Sequence, residues 1–313
     1  MIGPPRDSTS VRPSSTGAIA VVNPKAGHGR CGRLAGDVLA GLRSAGLLFE
    51  VSETRYAGHA VEIARAAYCQ GCQRFIAVGG DGTAFEIVNG LYPEASEGPP
   101  PVLGFLPLGT GNSFLRDFTA NGLADATRAM LENRSRPCDV LRLSHGDGLL
   151  HYINLLSVGF VADVCVIANR RYKRLGEAGY LLGVLQRLIR YRGRAFPLRV
   201  DGSSEIDRRD CLLLTFNNSK FTGGKMMLAP LADPSDGLIE LVRWSPIGRL
   251  GLIRRLPALY DGTHIRDPLA WRCAARRIDF DLDEPIDVMV DGEVLTVKPQ
   301  SIDVLPSALQ VMI

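Results

Sequence analysis

Long apolar runs are missing from this chain of 313 residues. No uninterrupted stretch reaches the roughly 18 apolar residues of a membrane-spanning helix, which argues against a helical integral membrane protein. The N-terminus also lacks the apolar segment of a signal peptide, and residues 1–16, rich in proline, serine and arginine, are expected to be a disordered leader. With 46% hydrophobic and 22% charged residues, the composition is that of a globular protein.

The cysteines lack the spacing of a disulfide framework or a zinc site. There are 7 of them, an odd number scattered along the chain, which favours a reducing compartment. Cys69 and Cys72 form one close pair, but they follow a helical pattern, whereas a redox pair usually opens a helix. No second pair completes a zinc site, so we expect these cysteines to be structural.

Charge is balanced in total but not along the chain. The formal net charge is +3, yet residues 170–199 hold nine basic side chains and one acidic side chain, Glu177. Apolar residues between these cations, from Tyr180 to Ile189, recur at helical spacing. This pattern predicts an amphipathic helix whose basic face binds an anionic membrane surface. The alternative is a helix that packs on the core and exposes its basic face to solvent.

Strand and helix patterns alternate in the first half of the chain. The predicted strands lie at residues 18–22, 49–52, 75–78 and 102–106, and the predicted helices at 34–42, 60–68 and 84–91. Strands separated by such helices imply a parallel sheet covered on both faces. Ligands of these sheets bind beyond the carboxyl ends of the strands.

After about residue 137, short alternating strands predict a mainly antiparallel β domain. They are expected at residues 140–143, 152–156, 198–200, 212–216, 238–241, 278–280, 286–290 and 294–297, with helices at 166–192 and 247–260. We therefore expect four parts: the leader (1–16), an α/β nucleotide-binding domain (17–136), a β-rich substrate domain (137–306) and a C-terminal tail (307–313).

The strongest local motif is VGGDGT, from Val78 to Thr83, between a predicted strand and a predicted helix. Its glycines let the backbone approach a bulky anion, and the N–H groups that begin the helix can bind phosphate. Asp81 can hold Mg²⁺ or accept a proton at this position. The simpler alternative is a tight turn in which Asp81 caps the helix.

Two further glycine-rich turns follow predicted strands: NPKAGHGR from Asn23 and PLGTGN from Pro107. The first lacks the Gly-Lys-Ser/Thr ending of a Walker loop, which excludes that kind of phosphate site. Three such turns at the carboxyl edge of one parallel sheet favour a site for nucleotide phosphates.

With FTGGKMMLAPLADPSDG from Phe221 and VDGE from Val290, the sequence resembles the diacylglycerol kinase catalytic-domain superfamily over residues 18–306. This superfamily includes bacterial diacylglycerol kinases, related lipid kinases and sphingosine kinases, and residues 159–194 look more like the sphingosine kinases. The resemblance implies an NAD kinase-like α/β nucleotide-binding domain with a parallel sheet, followed by a mainly antiparallel β-sandwich domain.

The resemblance also implies the ligands. ATP is expected to contact Asn23, Pro24, Lys25, Gly27, Gly29, Arg30, Thr54, Gly80, Gly82, Thr83, Glu86, Thr110, Gly111, Asn112 and Lys173. Mg²⁺ is expected at a turn formed by Asp233, Asp236 and the carbonyl of Leu238, because carboxylate and carbonyl oxygens suit a hard divalent ion. The alternative for this segment is a polar hairpin turn.

Three acidic residues are predicted to be catalytic. We expect Asp81 to be the most essential for phosphoryl transfer, with Asp291 and Glu293 across the acceptor hydroxyl. Because Asp-Gly is also a hairpin signal, a turn is the alternative for Asp291 and Gly292.

Departures from the family pattern bear on the acceptor. Ser113 stands where bacterial diacylglycerol kinases often carry aspartate, and Cys165 where sphingosine kinases place a second acidic residue. Lys173 and Gly179 align with arginines that sphingosine kinases keep. The sequence therefore leaves the acceptor open between diacylglycerol and a sphingoid base.

The leading hypothesis is an ATP-dependent lipid kinase, cytoplasmic and peripherally bound to the inner face of the membrane. One alternative is a soluble kinase such as NAD kinase. Another is a non-catalytic phosphate- or nucleic-acid-binding protein, but the basic helix lacks an aromatic array for stacking bases, so no nucleic-acid partner is expected. Monomer and homodimer both stay open.

Overall fold

The computed structural model describes residues 17–159 and 193–313. The predicted leader, the predicted helix at 166–192 and most of the basic segment lie outside the described residues. Cys165, Lys173 and Gly179 lie outside them too.

The first half of the chain alternates strands and helices, as its periodicity predicts. The elements are β1 (Ala18–Val22), α1 (Arg30–Ser44), β2 (Phe49–Glu53), α2 (His59–Cys69), β3 (Arg74–Gly79), α3 (Asp81–Leu91), β4 (Val102–Pro107) and α4 (Leu123–Leu131), with 3₁₀ turns at Glu94–Glu97 and Phe114–Asp117. Strands β2, β1, β3 and β4 pair in that order and run parallel. All seven predicted elements are confirmed in type, and α4 is additional.

Both faces of the parallel sheet are buried under helices. Along β1, Ala20 and Val22 pack in one cluster with Leu39 of α1. Val21, between them, points to the opposite cluster with Ala64 of α2 and Ile87 of α3. This two-residue alternation places helices on both faces, so the carboxyl edge of the sheet is left for ligands.

The second half is rich in short strands. They are β5 (Ser135–His145), β6 (Gly148–Tyr152), β7 (Leu155–Gly159), β8 (Arg194–Ala195), β9 (Leu198–Val200), β10 (Asp210–Cys211), β11 (Leu213–Asn217), β12 (Phe221–Thr222), β13 (Met226–Met227), β14 (Ile239–Trp244), β15 (Ala270–Ala275), β16 (Arg277–Phe280), β17 (Ile286–Val290), β18 (Glu293–Val297) and β19 (Pro299–Met312). Two short helices, α5 (Arg249–Arg255) and α6 (Ala258–Asp261), precede a 3₁₀ turn at Thr263–Arg266.

Two sequence predictions in this half are wrong in detail. Residues 152–156 are not one strand, because β6 ends at Tyr152 and the next backbone N–H groups bond to the carboxylate of Asp291. Residues 247–260 are not one helix, because Pro257 lies between α5 and α6 and lacks the N–H that would continue the helix.

The last strand, β19, joins the two halves. It pairs in parallel with β4 and antiparallel with β5 and β16, so that the parallel sheet continues into one sheet of nine strands. Residues 307–312, expected to be a tail, are the end of this strand, where Leu309 and Val311 are fully buried.

A second sheet, of six antiparallel strands in the order β15-β14-β11-β7-β17-β18, packs on the antiparallel part of the first. The shared core contains Leu143 of β5 and Ile302 of β19 together with Phe216 of β11. On its other face this sheet is covered by α5 and α6. The antiparallel β-sandwich is therefore confirmed. Among the described residues, no helix is both long enough and apolar enough to cross a membrane.

Candidate active site

The three glycine-rich turns meet at the carboxyl edge of the parallel sheet. The Gly109 N–H donates a hydrogen bond to the Gly79 carbonyl at 2.8 Å, which joins the turns after β4 and β3. Gly27 has φ +60° and lies so close to the Leu108 carbonyl that a Cβ atom would stand 2.6 Å from that oxygen. Only glycine permits this approach, so the turns form one surface.

A cavity of about 300 Å³ opens at this edge, between the parallel sheet and the β-sandwich. It is lined by Asn23, Ala26, Gly27, Gly80, Asp81, Gly82, Thr83, Gly109, Thr110, Gly111, Ser113, Asn154, Thr222, Gly223, Asp291, Gly292 and Glu293. The three residues predicted to be catalytic and seven of those predicted to bind ATP thus line one space.

Asp81, the first residue of α3, presents its carboxylate to the turn after β4. Oδ2 accepts a hydrogen bond from the Ser113 N–H at 2.9 Å, and Oδ1 accepts one from the Phe114 N–H at 3.3 Å. Burial raises the pKa of Asp81, and these two hydrogen bonds oppose that shift. The carboxylate is therefore fixed in place while one N–H group bonds to each oxygen.

Asp291 follows the last residue of β17, and three backbone donors hold its carboxylate. The N–H groups of Asn154 and Leu155 bond to Oδ1 at 3.1 and 2.9 Å, and that of Ile153 bonds to Oδ2 at 3.1 Å. Burial, together with the negative charge of Asp81, raises the pKa of Asp291 to about 7, although these donors oppose the shift. Asp291 thus fixes the turn between β6 and β7.

Glu293 begins β18, two residues after Asp291. Its Oε1 atom lies 3.1 Å from the position of a Cβ on Gly82, so the side chain reaches across to the start of α3. Three carboxylates therefore surround a cavity whose glycine turns suit phosphate, and bound phosphates would need cations to offset this charge.

Seven other described residues predicted to bind ATP do not line the cavity. They are Pro24, Lys25, Gly29, Arg30, Thr54, Glu86 and Asn112. Asn112 supports the turn after β4, because its Nδ2 donates to the carbonyls of Gly109 and Pro107 at 3.0 and 3.3 Å. Lys25 follows Asn23, whose Oδ1 accepts the Lys25 N–H at 3.2 Å.

Glu86 contacts the start of a helix. Its carboxylate accepts the N–H groups of Gly58 at 3.0 Å and Ala60 at 3.1 Å, which otherwise have no partner within α2. The loop that follows Thr54 at the end of β2 is thereby tied to α3. Contact of Glu86 with the nucleotide stays a prediction.

The residues predicted to bind Mg²⁺ form a tight turn away from this cavity. Asp233 accepts the N–H and hydroxyl of Ser235 at 3.0 and 2.7 Å, and Asp236 accepts the Leu238 N–H at 2.9 Å. Burial raises the pKa of Asp236, and the charges of Asp233, Asp139 and Glu240 raise it further. Such an accumulation of negative charge fits a hard cation.

A second cavity, of about 280 Å³, adjoins this turn. Asp117, Arg136, Lys220 and Asp233 bring two carboxylates and two cations to its wall. Asp117 accepts the Lys220 N–H at 2.8 Å, and burial raises its pKa to about 6. No sequence motif indicated a role for Asp117.

Ser113 has a role that sequence reasoning missed. It is buried, and its Oγ accepts the Gly224 N–H at 2.9 Å, which ties the β12–β13 hairpin to the turn that holds Asp81. The same hairpin brings Thr222 and Gly223 to the cavity. The FTGGKMM motif of this hairpin could have indicated that it belongs to the site. Asn154 also lines the cavity, but no sequence motif indicated it.

Comparison with known proteins agrees with this geometry. Residues 17–143 match the family "Diacylglycerol kinase catalytic domain", and residues 154–313 match the "YegS C-terminal NAD kinase beta sandwich-like domain". The chain is 30% identical over 297 residues to a diacylglycerol kinase of Mycobacterium tuberculosis, covering 94% of each chain. It is 41% identical over 212 residues to a probable YegS-like lipid kinase of Chromohalobacter salexigens, covering 64% of this chain and 63% of the other.

A solved structure shows the same fold. A diacylglycerol kinase from Bacillus anthracis superposes with a TM-score of 0.70 at 21% identity, over 95% of this chain and 96% of the other. On the two domain matches and the long relative, the chain belongs to the diacylglycerol kinase catalytic-domain family, whose members are lipid kinases that phosphorylate an alcohol.

Proposed function

We propose that the protein transfers the γ-phosphate of ATP to a hydroxyl of diacylglycerol at the inner face of the membrane. One observation carries this proposal: a single cavity brings the three glycine-rich turns together with Asp81 and Asp291. The relative from M. tuberculosis, a diacylglycerol kinase similar along 94% of the chain, supports diacylglycerol over a sphingoid base as the acceptor.

The glycine turns and the start of α3 supply the phosphate site. Their backbones can approach phosphate oxygens closely, and helix N-termini attract anions. Lys25 and Arg30 belong to the first turn, and the Arg33 guanidinium lies beside Gly29, so these cations can balance phosphate charge there. Phosphoryl transfer depends more on such positioning and charge neutralisation than on strong base catalysis.

Asp81 is the better candidate to accept the proton of the acceptor hydroxyl. It begins α3 beside the phosphate turns, and its partners, two backbone N–H groups and the Ser113 hydroxyl, still leave a lone pair for a further donor. Asp291 receives three N–H groups and is largely committed to the β6–β7 turn. We therefore propose that Asp81 contacts the reacting hydroxyl, while Asp291 and Glu293 position the acceptor.

Mg²⁺ fits the donor set of the site. Among the described residues, no three His, Cys, Asp or Glu side chains converge as a metal site, but Mg²⁺ commonly uses one or two carboxylates plus substrate phosphates. When bound, it would neutralise phosphate charge. We propose that Asp81 or Glu293 holds this ion in the cavity, and that Asp233, Asp236 and the Leu238 carbonyl hold a second ion that stabilises their turn.

A phase-partition assay tests the function. With γ-labelled ATP and mixed micelles, label should enter the organic phase when diacylglycerol is supplied, and more slowly with sphingosine, ceramide or monoacylglycerol. Label found only in the aqueous phase with NAD would contradict the proposal and favour a soluble kinase.

The Asp81→Ala variant tests the role of Asp81 in the same assay. We expect turnover to fall by roughly 10²-fold or more, the usual contribution of a general base, with an unchanged circular dichroism spectrum. Asp37→Ala, an exposed aspartate of α1 away from the cavity, is the matched control. More than a tenth of wild-type turnover in Asp81→Ala would refute the assignment.

A further inference from the structure

We propose that the exposed face of α5 and α6 is a second membrane-docking surface, which rests an anionic bilayer beside the catalytic cavity. This face, called the α5–α6 face below, consists of Leu231, Leu250, Ile253, Pro257 and Tyr260. The inference rests on the proposed lipid acceptor, and it is separate from the basic segment at 170–199.

The α5–α6 face is apolar and open to solvent. Leu250 is 77% exposed and Ile253 is 46% exposed, and Leu231 and Tyr260 are each more than half exposed. On the opposite side of the same helices, Leu252 and Leu259 are buried against Trp244 of β14. The two helices thus carry apolar side chains on both sides, and packing against the core explains only the buried side.

The residues of the face are neighbours in space. Leu250, Ile253 and Pro257 follow at intervals of three and four residues along one side of the helical segment. Pro230, which precedes Leu231, packs against Gly262 at the end of α6. Leu231 therefore lies beside the C-terminal end of the same surface.

The charge around the face is complementary to anionic headgroups. Arg254 and Arg266 are exposed, and neither has an ion-pair partner in the described ranges 17–159 and 193–313. Of the two acids between residues 249 and 267, Asp267 pairs with Arg255, whereas Asp261 accepts only neutral donors of Thr263 and leaves one negative charge against Arg254 and Arg266. Apolar side chains flanked by unpaired arginines are typical of interfacial membrane binding.

The size of the face favours a bilayer over a second copy of the chain. Five side chains cover on the order of a few hundred Å², whereas a stable protein interface buries roughly 1,200 Å² or more. Binding to a bilayer requires only that these side chains insert to a shallow depth. Tyrosine suits the membrane interface because its ring is apolar and its hydroxyl can stay hydrated.

A short chain of contacts connects the α5–α6 face to the cavity. Gly262, at the end of α6, packs against Met227 of β13. The His264 ring lies between the carbonyls of Leu228 and Ala258, with Nε2 and Nδ1 at 3.0 and 3.2 Å from their oxygens. The partner strand β12 then brings Thr222 to the cavity wall. A bilayer on this face would lie next to the hairpin that contributes Thr222 and Gly223 to the cavity wall.

Vesicle sedimentation tests this surface with a matched pair of double variants. Leu250→Glu/Ile253→Glu should lower binding to vesicles of phosphatidylcholine with phosphatidylglycerol by at least tenfold. Leu48→Glu/Leu131→Glu is the control, because these residues are 80% and 42% exposed on the first half of the chain. The control should bind as the wild type does.

Arg254→Gln checks the charge component. It should lower binding to the anionic vesicles several-fold at low salt, and it should have little effect with pure phosphatidylcholine or at high salt.

Kinase assays separate this proposal from the proposed function. With a short-chain, water-soluble diacylglycerol, the Leu250→Glu/Ile253→Glu variant should keep wild-type turnover, whereas phosphorylation of diacylglycerol in vesicles should fall with binding. Unchanged vesicle binding, or an equal loss in both double variants, would overturn the docking surface. A change from dimer to monomer without loss of vesicle binding would also overturn it. Absence of lipid phosphorylation in the wild type would instead contradict the proposed function, since vesicle binding is measured separately.

Discussion

The positions of the carboxylates at the cavity depend on hydrogen bonds to backbone N–H groups, and a sequence motif does not show these bonds. The GGDGT and VDGE motifs predicted that Asp81 and Asp291 belong to the site, and both line the cavity. The sequence could not show that Asp291 bonds to three N–H groups of residues 153–155, more than 130 positions away. Nor could it show that Glu86 contacts the start of α2, because that contact depends on how two helices pack.

The pKa of Asp291 gives a residue-scale prediction. Burial raises it to about 7, and the charge of Asp81 contributes in the same direction. Asp81→Asn removes that charge, so the pKa of Asp291 should fall. Titration of ¹³C-labelled aspartate carboxyls by NMR measures this shift, with Asp37→Asn as the control. An unchanged pKa of Asp291 would mean that the two carboxylates do not interact.

The raised pKa of Asp291 also determines how this residue's contribution to the free energy of unfolding changes with pH. Between pH 4 and 7 the folded protein keeps a proton on Asp291 that the unfolded chain has released, so this group's contribution to the free energy of unfolding decreases as pH rises through that range. In Asp81→Asn the total decrease should be smaller, because the pKa of Asp291 falls and because Asp81, whose pKa burial also raises, no longer titrates. Urea denaturation at pH 5 and pH 7.5 should therefore show the Asp81→Asn variant losing less stability than the wild type.

Helices and strands were predictable where their periodicity is regular and where local bonds determine their ends. The strands and helices of the α/β half appear where the pattern places them, with most ends extended by one to four residues. The predicted strand at 152–156 failed because a distant carboxylate ends β6, and the predicted helix at 247–260 failed because Pro257 interrupts it. Helix crossings are a further feature that periodicity does not specify.

The crossing of α2 and α3 gives an element-scale prediction. Gly90 of α3 lies so close to α2 that an added Cβ would stand 2.5 Å from the Val61 carbonyl oxygen and 2.8 Å from the Ala64 Cβ. Gly90→Ala should therefore lower the free energy of unfolding by about 1–3 kcal/mol, the usual cost of overpacking. Chemical denaturation measures the change.

Gly41 of α1 provides the matched control. It is exposed, and an added Cβ would meet nothing within 4 Å. Gly41→Ala should raise the free energy of unfolding by about 0.5–1 kcal/mol, because alanine favours the helix. Equal effects of the two substitutions would show that close packing at Gly90 does not hold the helices together.

At the scale of the whole molecule, β19 joins the two halves, and its position at the end of the sequence did not indicate this role. Residues 299–312 follow the last predicted strand, and their distance from β4 in the sequence hides the parallel pairing between β19 and β4. Because β19 also pairs with β5 and β16, one strand belongs both to the nucleotide-binding sheet and to the β-sandwich. The cavity lies between these two parts, so β19 fixes the relative position of Asp81 and Asp291.

This connection predicts cooperative unfolding. Leu309 of β19 is fully buried in the core of the parallel sheet, whereas Trp244 and Trp271 lie in the six-stranded sheet. Leu309→Ala should lower the free energy of unfolding by about 2–5 kcal/mol. Circular dichroism and tryptophan fluorescence should then show the same shift in the midpoint of chemical denaturation. Leu149→Ala, at an exposed position of β6, should change stability by less than about 0.5 kcal/mol. If Leu309→Ala shifted the circular dichroism midpoint while the tryptophan midpoint stayed in place, the two sheets would unfold as separate units, and β19 would not couple the two walls of the cavity.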